Sequence, residues 1–323
     1  MSASRLSGET VDVTAAPMPG IGRTADPGGA PARRRRVSLW VQLLRAKTAL
    51  FGTIILAMVI FCALFAQWVA PYSPNEQTLE ARFVPPVGLS TSTKDGSWAN
   101  PLGTDHLGRD ILSRVIHGAR ISLVVGVSAV LISGILGVLL GLLAGYYGGR
   151  LDALLMRVAD VQLAFPFVLL AISMVAAVGG GLKNVTIVLG IFGWVFFARV
   201  VRGDVLSARE RDYVLAARTV GASDRAIIFR HILPNVVTPV IVLTSFFVAN
   251  FIILEASLSF LGLGVEPAIP TWGSMLADGR QYLSSSWWPA TLPGIAIMLT
   301  VLGINMIGDW LRDILDPRQQ QIS

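Results

Sequence analysis

The chain has 323 residues, 53% of them hydrophobic and 14% charged, where an ordinary soluble domain carries about 25% charged residues. That composition excludes a water-soluble globule and points to a chain embedded in hydrocarbon. The net charge of +6 leaves nucleic acid, an anionic surface or membrane topology to explain it until the basic residues are placed.

Residues 1–46, rich in Gly, Ala, Pro, Ser and Thr and containing Arg33 to Arg36, hold too little apolar surface to offset the entropy of ordering and are expected to form a disordered tail. Six apolar runs follow, at about 50–70, 121–146, 161–182, 184–201, 236–258 and 289–308. Each is close to the length needed to cross a core of ~30 Å at about 1.5 Å per residue. The fourth is the shortest in charge-free length, and Arg199 and Arg202 at its end are expected to snorkel to an interface. Gly179, Gly180 and Gly181 predict a tight turn between the third and fourth runs. Cys62, the single cysteine, lies inside the first run and reads as a small hydrophobe rather than part of a disulfide or metal site.

Alternation of the spans puts 19 of the 26 basic residues on the side of the N-terminus. The excess predicts that both termini are cytoplasmic, and it explains the positive charge without nucleic acid. Trp68, Trp287 and Trp288 then suit the outer interface. The expected organisation is a tail at 1–46, a first transmembrane helix with an extracytoplasmic loop at 47–118, a core of five transmembrane helices at 119–312, and a cytoplasmic tail at 313–323. The core includes a cytoplasmic loop at about 203–234.

That inner loop, from Asp212 to Asn235, reads as helix, turn, helix. Gly221 closes the first helix in a left-handed conformation, Ser223 caps the second, and Pro234 is expected to stop it. Ala216, Ala217 and Ala222 leave a smooth surface beside the turn, suited to docking in a partner's groove.

The spacing of Ala216, Ala217, Gly221, Leu233 and Pro234 resembles the "EAA" loop through which permeases of binding-protein-dependent ABC importers engage their ATPase. The family's leading Glu is Leu215 here and its usual Ile is His231. Further segments narrow the resemblance to the second, C-type permease of the dipeptide/oligopeptide/nickel family. They are Leu102-Gly-Thr-Asp-His-Leu-Gly-Arg-Asp110, Gly118-Ala-Arg-Ile-Ser-Leu123, Gly145-Tyr-Tyr-Gly-Gly149, Ala164-Phe-Pro-Phe167, His231-Ile-Leu-Pro-Asn235 and Glu255-Ala-Ser-Leu-Ser-Phe-Leu-Gly-Leu-Gly264. The resemblance implies an all-α integral membrane protein with six transmembrane helices and the type I ABC importer permease fold, in a bacterial-type inner membrane. It also implies the partners: a second homologous permease, two ATPase subunits carrying ATP and Mg, and an extracytoplasmic solute-binding protein. The solute would be a peptide or a related small molecule.

Ser133, Gly137, Gly141, Gly145 and Gly149 recur every four residues and trace a ridge that lets helices approach closely. The ridge serves either packing within the chain or contact with a second permease. Glu255 lies near the outer end of the fifth run, where it either pairs locally or faces the pore or its gate. Asp160 is similar. No phosphate-binding Gly-x-x-x-x-Gly-Lys-Ser/Thr loop, zinc-protease helix or nucleophile elbow occurs, and His106, His117 and His231 are split between the two sides. These absences exclude ATP hydrolysis by the chain itself and argue against a membrane hydrolase. An ion-driven carrier would want ionisable groups at the midplane of several spans, and neighbouring genes for an ATPase would separate it from an ABC importer.

Overall fold

The structure is a computed structural model that describes residues 39–266 and 268–315. Its elements, in chain order, are α1 Leu39–Arg45, α2 Lys47–Leu64, α3 Ala66–Val69, α4 Ile111–Tyr147, α5 Gly149–Leu163, α6 Phe167–Val178 and α7 Leu182–Ala208. Then come α8 Asp212–Thr219, α9 Asp224–Ala226, a π-helical turn Ile227–Ile232, α10 Leu233–Phe260, α11 Trp272–Gly279 and α12 Trp288–Leu315. No sheet forms among the described residues, only two isolated bridges in the turns before α4.

Five helical runs among the described residues are long and apolar enough to cross a membrane: α2, α4, α7, the run from Asp224 to Phe260, and α12. The pair α5 and α6 meets the same criterion only together, and its two members are bent by 89°. With that pair counted as one broken span, the number is six.

This bend corrects the third expected span, at 161–182. α6 has 12 residues, about 18 Å of helix, short of a ~30 Å core. The cause is Pro166, which caps α6 with a non-helical ψ of 124°. Its ring removes a donor and holds Phe165 away from the helical region. The fourth run, expected at 184–201, is longer than its charge-free stretch and is the most deeply buried of the spans. Arg199 pairs with Asp160 of α5 at 2.6 Å, and Arg202 makes a two-pronged pair with Asp152, one arm at 2.6 Å. Pairing with α5 thus replaces simple snorkelling for both guanidinium groups.

Two ends also differ from expectation. Residues 1–38 of the predicted tail lie outside the described residues, whereas 39–45 form α1, a mainly apolar helix of about two turns ending in Arg45. At the other terminus α12 continues to Leu315, past the predicted boundary at 313.

α4 and α7 make the most extensive helix pair, and the small-residue ridge explains it. A Cβ at Gly141 would lie 2.7 Å from the Ala198 carbonyl oxygen and 2.8 Å from Val201 Cβ; at Gly145 it would meet Val205 at 2.7 Å. The Ser133 hydroxyl donates to the Gly190 carbonyl at 2.8 Å. Lipid tails are as apolar as leucine, so close backbone approach of this kind, rather than hydrophobicity, is what holds membrane helices together. Of the two readings of the ridge, packing within the chain is the one realised. Gly149 falls off it, as the first residue of α5. An aromatic core of Phe192, Phe197, Phe247 and Phe251 fills the space between α4, α7 and α10.

Candidate functional site

α8 ends in a complete hydrogen-bonded reversal. The Gly221 amide donates to the Arg218 carbonyl at 2.9 Å and the Ala222 amide to the Ala217 carbonyl at 3.0 Å, with Gly221 at φ +84°. This is the geometry that a left-handed glycine permits at a helix end. Ser223 then accepts from the Ala226 amide at 3.4 Å and starts α9. The predicted helix, turn, helix is thus present.

One side of this element is anchored and the other is free. Val214 is buried with Val205, Ile227 and Ile232, and Ala217, Ala222 and Leu233 pack partly against that cluster. The Tyr146 hydroxyl, at the end of α4, donates to Asp224 Oδ1 at 2.6 Å, and the Arg218 guanidinium lies over the Tyr146 ring at 5.3 Å. Arg209 donates to the Gly145 carbonyl at 3.0 Å. On the other side Tyr213, Leu215, Ala216, Gly221 and Ser223 are exposed, and Val220 at the tip is 88% exposed. An apolar valine in that position gains nothing from the chain's own packing. These contacts tie the element to α4 through Tyr146 and, through the helical run from Asp224, to α10.

Pro234 does not stop the second helix. It sits in the first turn of α10, and the helical run continues to Phe260. The π turn before it explains this: the Leu233 amide donates five residues back, to Ile228, which widens the turn where the proline ring would otherwise collide. Leu233 is half-buried and Pro234 exposed, so these two residues mark the base of the element rather than its end.

Glu255 lies apart from all of these, about 33 Å along α10 from Leu233. It is 0% exposed, and its carboxylate accepts from Ser122 of α4 at 3.1 Å and from Ser259 at 2.7 Å. In this conformation it is sealed between helices.

The same end of the bundle carries a feature that the sequence did not disclose. Asp105 pairs with Arg109 at 2.6 Å and Arg114 at 3.2 Å, and Asp278 of α11 pairs with the same two arginines at 3.0 and 3.6 Å. Asp105, Arg109 and Arg114 are buried, and the balance of two acids against two bases is what makes their burial tolerable. Asp110 caps α4 by accepting from the Ser113 amide at 2.8 Å. Trp288, expected at the membrane interface, is instead buried, and its indole donates to the Thr104 carbonyl at 3.0 Å. Trp68 and Trp287 are exposed. His106 stacks on Tyr282. Among the described residues no three His, Cys, Asp or Glu side chains gather as a metal site.

A profile of the family described as "Binding-protein-dependent transport system inner membrane component" matches residues 137–321. Another, described as "N-terminal TM domain of oligopeptide transport permease C", matches residues 36–86. The chain is 46% identical over 279 residues to the di/tripeptide transport system permease protein DppC of Pseudomonas aeruginosa (strain UCBPP-PA14), covering 86% of this chain and 91% of that one. It is 45% identical over 282 residues to the dipeptide transport system permease protein DppC of Escherichia coli (strain K12), covering 87% and 93%. The glutathione transport system permease protein GsiD of Pectobacterium atrosepticum is 43% identical over 279 residues, covering 86% and 90%. Among solved structures, the fold is similar to a chain of the MetNI methionine ABC transporter in an inward-facing conformation. The TM-score is 0.53 at 17% identity, covering 64% of this chain and 98% of that one. At that identity the likeness concerns the fold alone.

Proposed function

The chain belongs to the family of binding-protein-dependent transport-system inner-membrane components, and from that premise we propose that it forms half of a peptide-translocating pore and docks on a separate ATPase through α8 and the Gly221 turn. The observation that carries the docking assignment is Val220, an apolar residue almost wholly in solvent at the tip of an element whose opposite face is bonded to α4. Such a surface suits a groove in a partner.

In this reading the loop and both termini face the cytoplasm, where 19 of 26 basic residues then lie. A second permease of the same family completes the pore. Two ATPase subunits carry ATP and Mg, and an extracytoplasmic binding protein delivers the solute. Peptides are the favoured class because the two DppC relatives are named for di- and tripeptide transport. Closure of the ATPases would displace α8, and the link through Tyr146 and the π turn would carry that movement into α4 and α10. Glu255, bonded to serines of α4 and α10, would hold those two helices in register at the outer end.

The test is uptake of radiolabelled Ala-Ala into liposomes containing this chain, its partner permease, its ATPases and its loaded binding protein. Accumulation is expected only with ATP inside the cytoplasmic-side compartment and with all four components. Uptake that persists without the ATPases, or ATP hydrolysis by the purified chain alone, would contradict the assignment.

A further inference from the structure

A cavity of about 490 Å3 opens between α7, α10 and α12 at the end of the bundle that carries the α8 loop. Its walls include Val200, Thr238, Phe246, Asn305, Asp309 and Arg312, and its volume falls in the range of about 300–1,000 Å3 usual for small-molecule sites. α10 and α12 close together beside it, where a Cβ on Gly308 would lie 2.5 Å from the Ser245 hydroxyl. Pro239, within α10, also lines it.

Two ionised side chains are placed on this cavity by one helix. Asp309 and Arg312 are three residues apart on α12, so they share a face about 4.5 Å apart along the axis. Neither is held by an ion pair or hydrogen bond to another described residue, and they do not pair with each other. Several other charges in the bundle are engaged, Arg202 by Asp152, Arg199 by Asp160 and Glu255 by two serines, whereas a carboxylate oxygen of Asp204 on α7 is buried without a partner. Asp309 and Arg312 are both exposed on the cavity wall, past the end of the apolar run at about 289–308, where a charged group is free to meet a solute. An acid and a guanidinium side by side, across from the apolar Phe246, form a complementary receptor for a molecule with an ammonium at one end, a carboxylate at the other and variable side chains between.

We propose that this cavity is a transit site for zwitterionic peptides, in which Asp309 faces the ammonium group and Arg312 the carboxylate. The inference rests on the peptide-permease reading and adds to it where the solute is held on its way past α12.

A photoreactive dipeptide, Ala-p-benzoylphenylalanine, tests it on the complete complex in nanodiscs, with labelled segments mapped by mass spectrometry. Label is expected on α10 and α12 and is displaced at least fivefold better by Ala-Ala than by N-acetyl-Ala-Ala or Ala-Ala-amide. Asp309→Asn should erase the discrimination against the acetylated competitor, and Arg312→Gln the discrimination against the amide. Asp309→Glu should restore the former, which a merely structural role would not do. Label elsewhere in the complex, unchanged labelling of both neutral variants, or loss of label with discrimination intact would overturn the proposal. A wild-type complex that takes up no Ala-Ala into liposomes would instead overturn the peptide reading itself, before any variant is made.

Discussion

At the end of the bundle that carries Glu255, Asp105, Arg109 and Arg114 are buried and tied to Asp278, 169 residues along the chain from Arg109. At the opposite end, α8 and the Gly221 turn stand in solvent with Val214 and Tyr146 as their anchors. Both regions are short, polar, glycine-containing segments between apolar spans. Their difference lies in where the charges go. The segment around Asp105 pairs its buried charges within the chain, leaving only Arg114 Nε without a partner among them. The loop leaves Val220 and its neighbours exposed, as the proposed docking on an ATPase requires. Substitutions should therefore cost stability at the first and association at the second.

The largest stability effect is expected from Arg114→Ala. Arg114 is 2% exposed, and its loss leaves Asp105 buried with one partner fewer, at a cost of about 3–5 kcal/mol. Membrane abundance and the midpoint of thermal unfolding in detergent should both fall. A variant as stable as wild type would show that this segment is not held by its ion pairs. Gly141→Leu should come next. The first atom of the new side chain already collides with the Ala198 carbonyl, and overpacking of this kind costs about 1–3 kcal/mol. Thermal unfolding should shift less than in Arg114→Ala, and unchanged unfolding would mean that α4 and α7 slide freely.

Tyr146→Phe sharpens the comparison from the other side. It deletes the hydroxyl that donates to Asp224, worth about 1 kcal/mol, and leaves the aromatic ring under Arg218. Abundance should stay at the wild-type level while ATP hydrolysis stimulated by loaded binding protein drops about fivefold. Full stimulation would show that α4 does not receive the loop's movement through this bond.

Much of this architecture is legible in the sequence because apolar run length and glycine conformation are local properties. The runs near α2, α4, α10 and α12 mark real helices, and Gly221 marks its turn, since φ +84° is a conformation glycine adopts without steric cost. The third span was misplaced although its signal was present: hydropathy averages over Pro166, whose ring decides the break. Pro234 failed in the reverse sense, because the π turn that accommodates it depends on hydrogen bonding five residues back, which no residue pattern announces. The ion pairs around Asp105, the peg formed by Trp288 on Thr104 and the Ser122 partner of Glu255 were hidden for another reason. Their partners lie 133 to 184 residues apart, and only the packed bundle brings them together.

The docking role of the loop is tested most directly by Gly221→Val. A Cβ at Gly221 meets no atom within 4 Å, so the substitution introduces no clash, only the strain of a left-handed non-glycine residue, about 1–2 kcal/mol. That strain is confined to a turn outside the apolar spans and should shift α9 relative to Ala216 and Ala217. The quantity to measure is co-purification of the ATPases with the chain, normalised to membrane abundance, alongside Ala-Ala uptake by the complete system. Wild-type abundance with ATPase co-purification and uptake both reduced at least tenfold is the predicted result. Normal co-purification and uptake at normal abundance would contradict the docking assignment, and loss of the protein from the membrane would show that the turn serves folding instead.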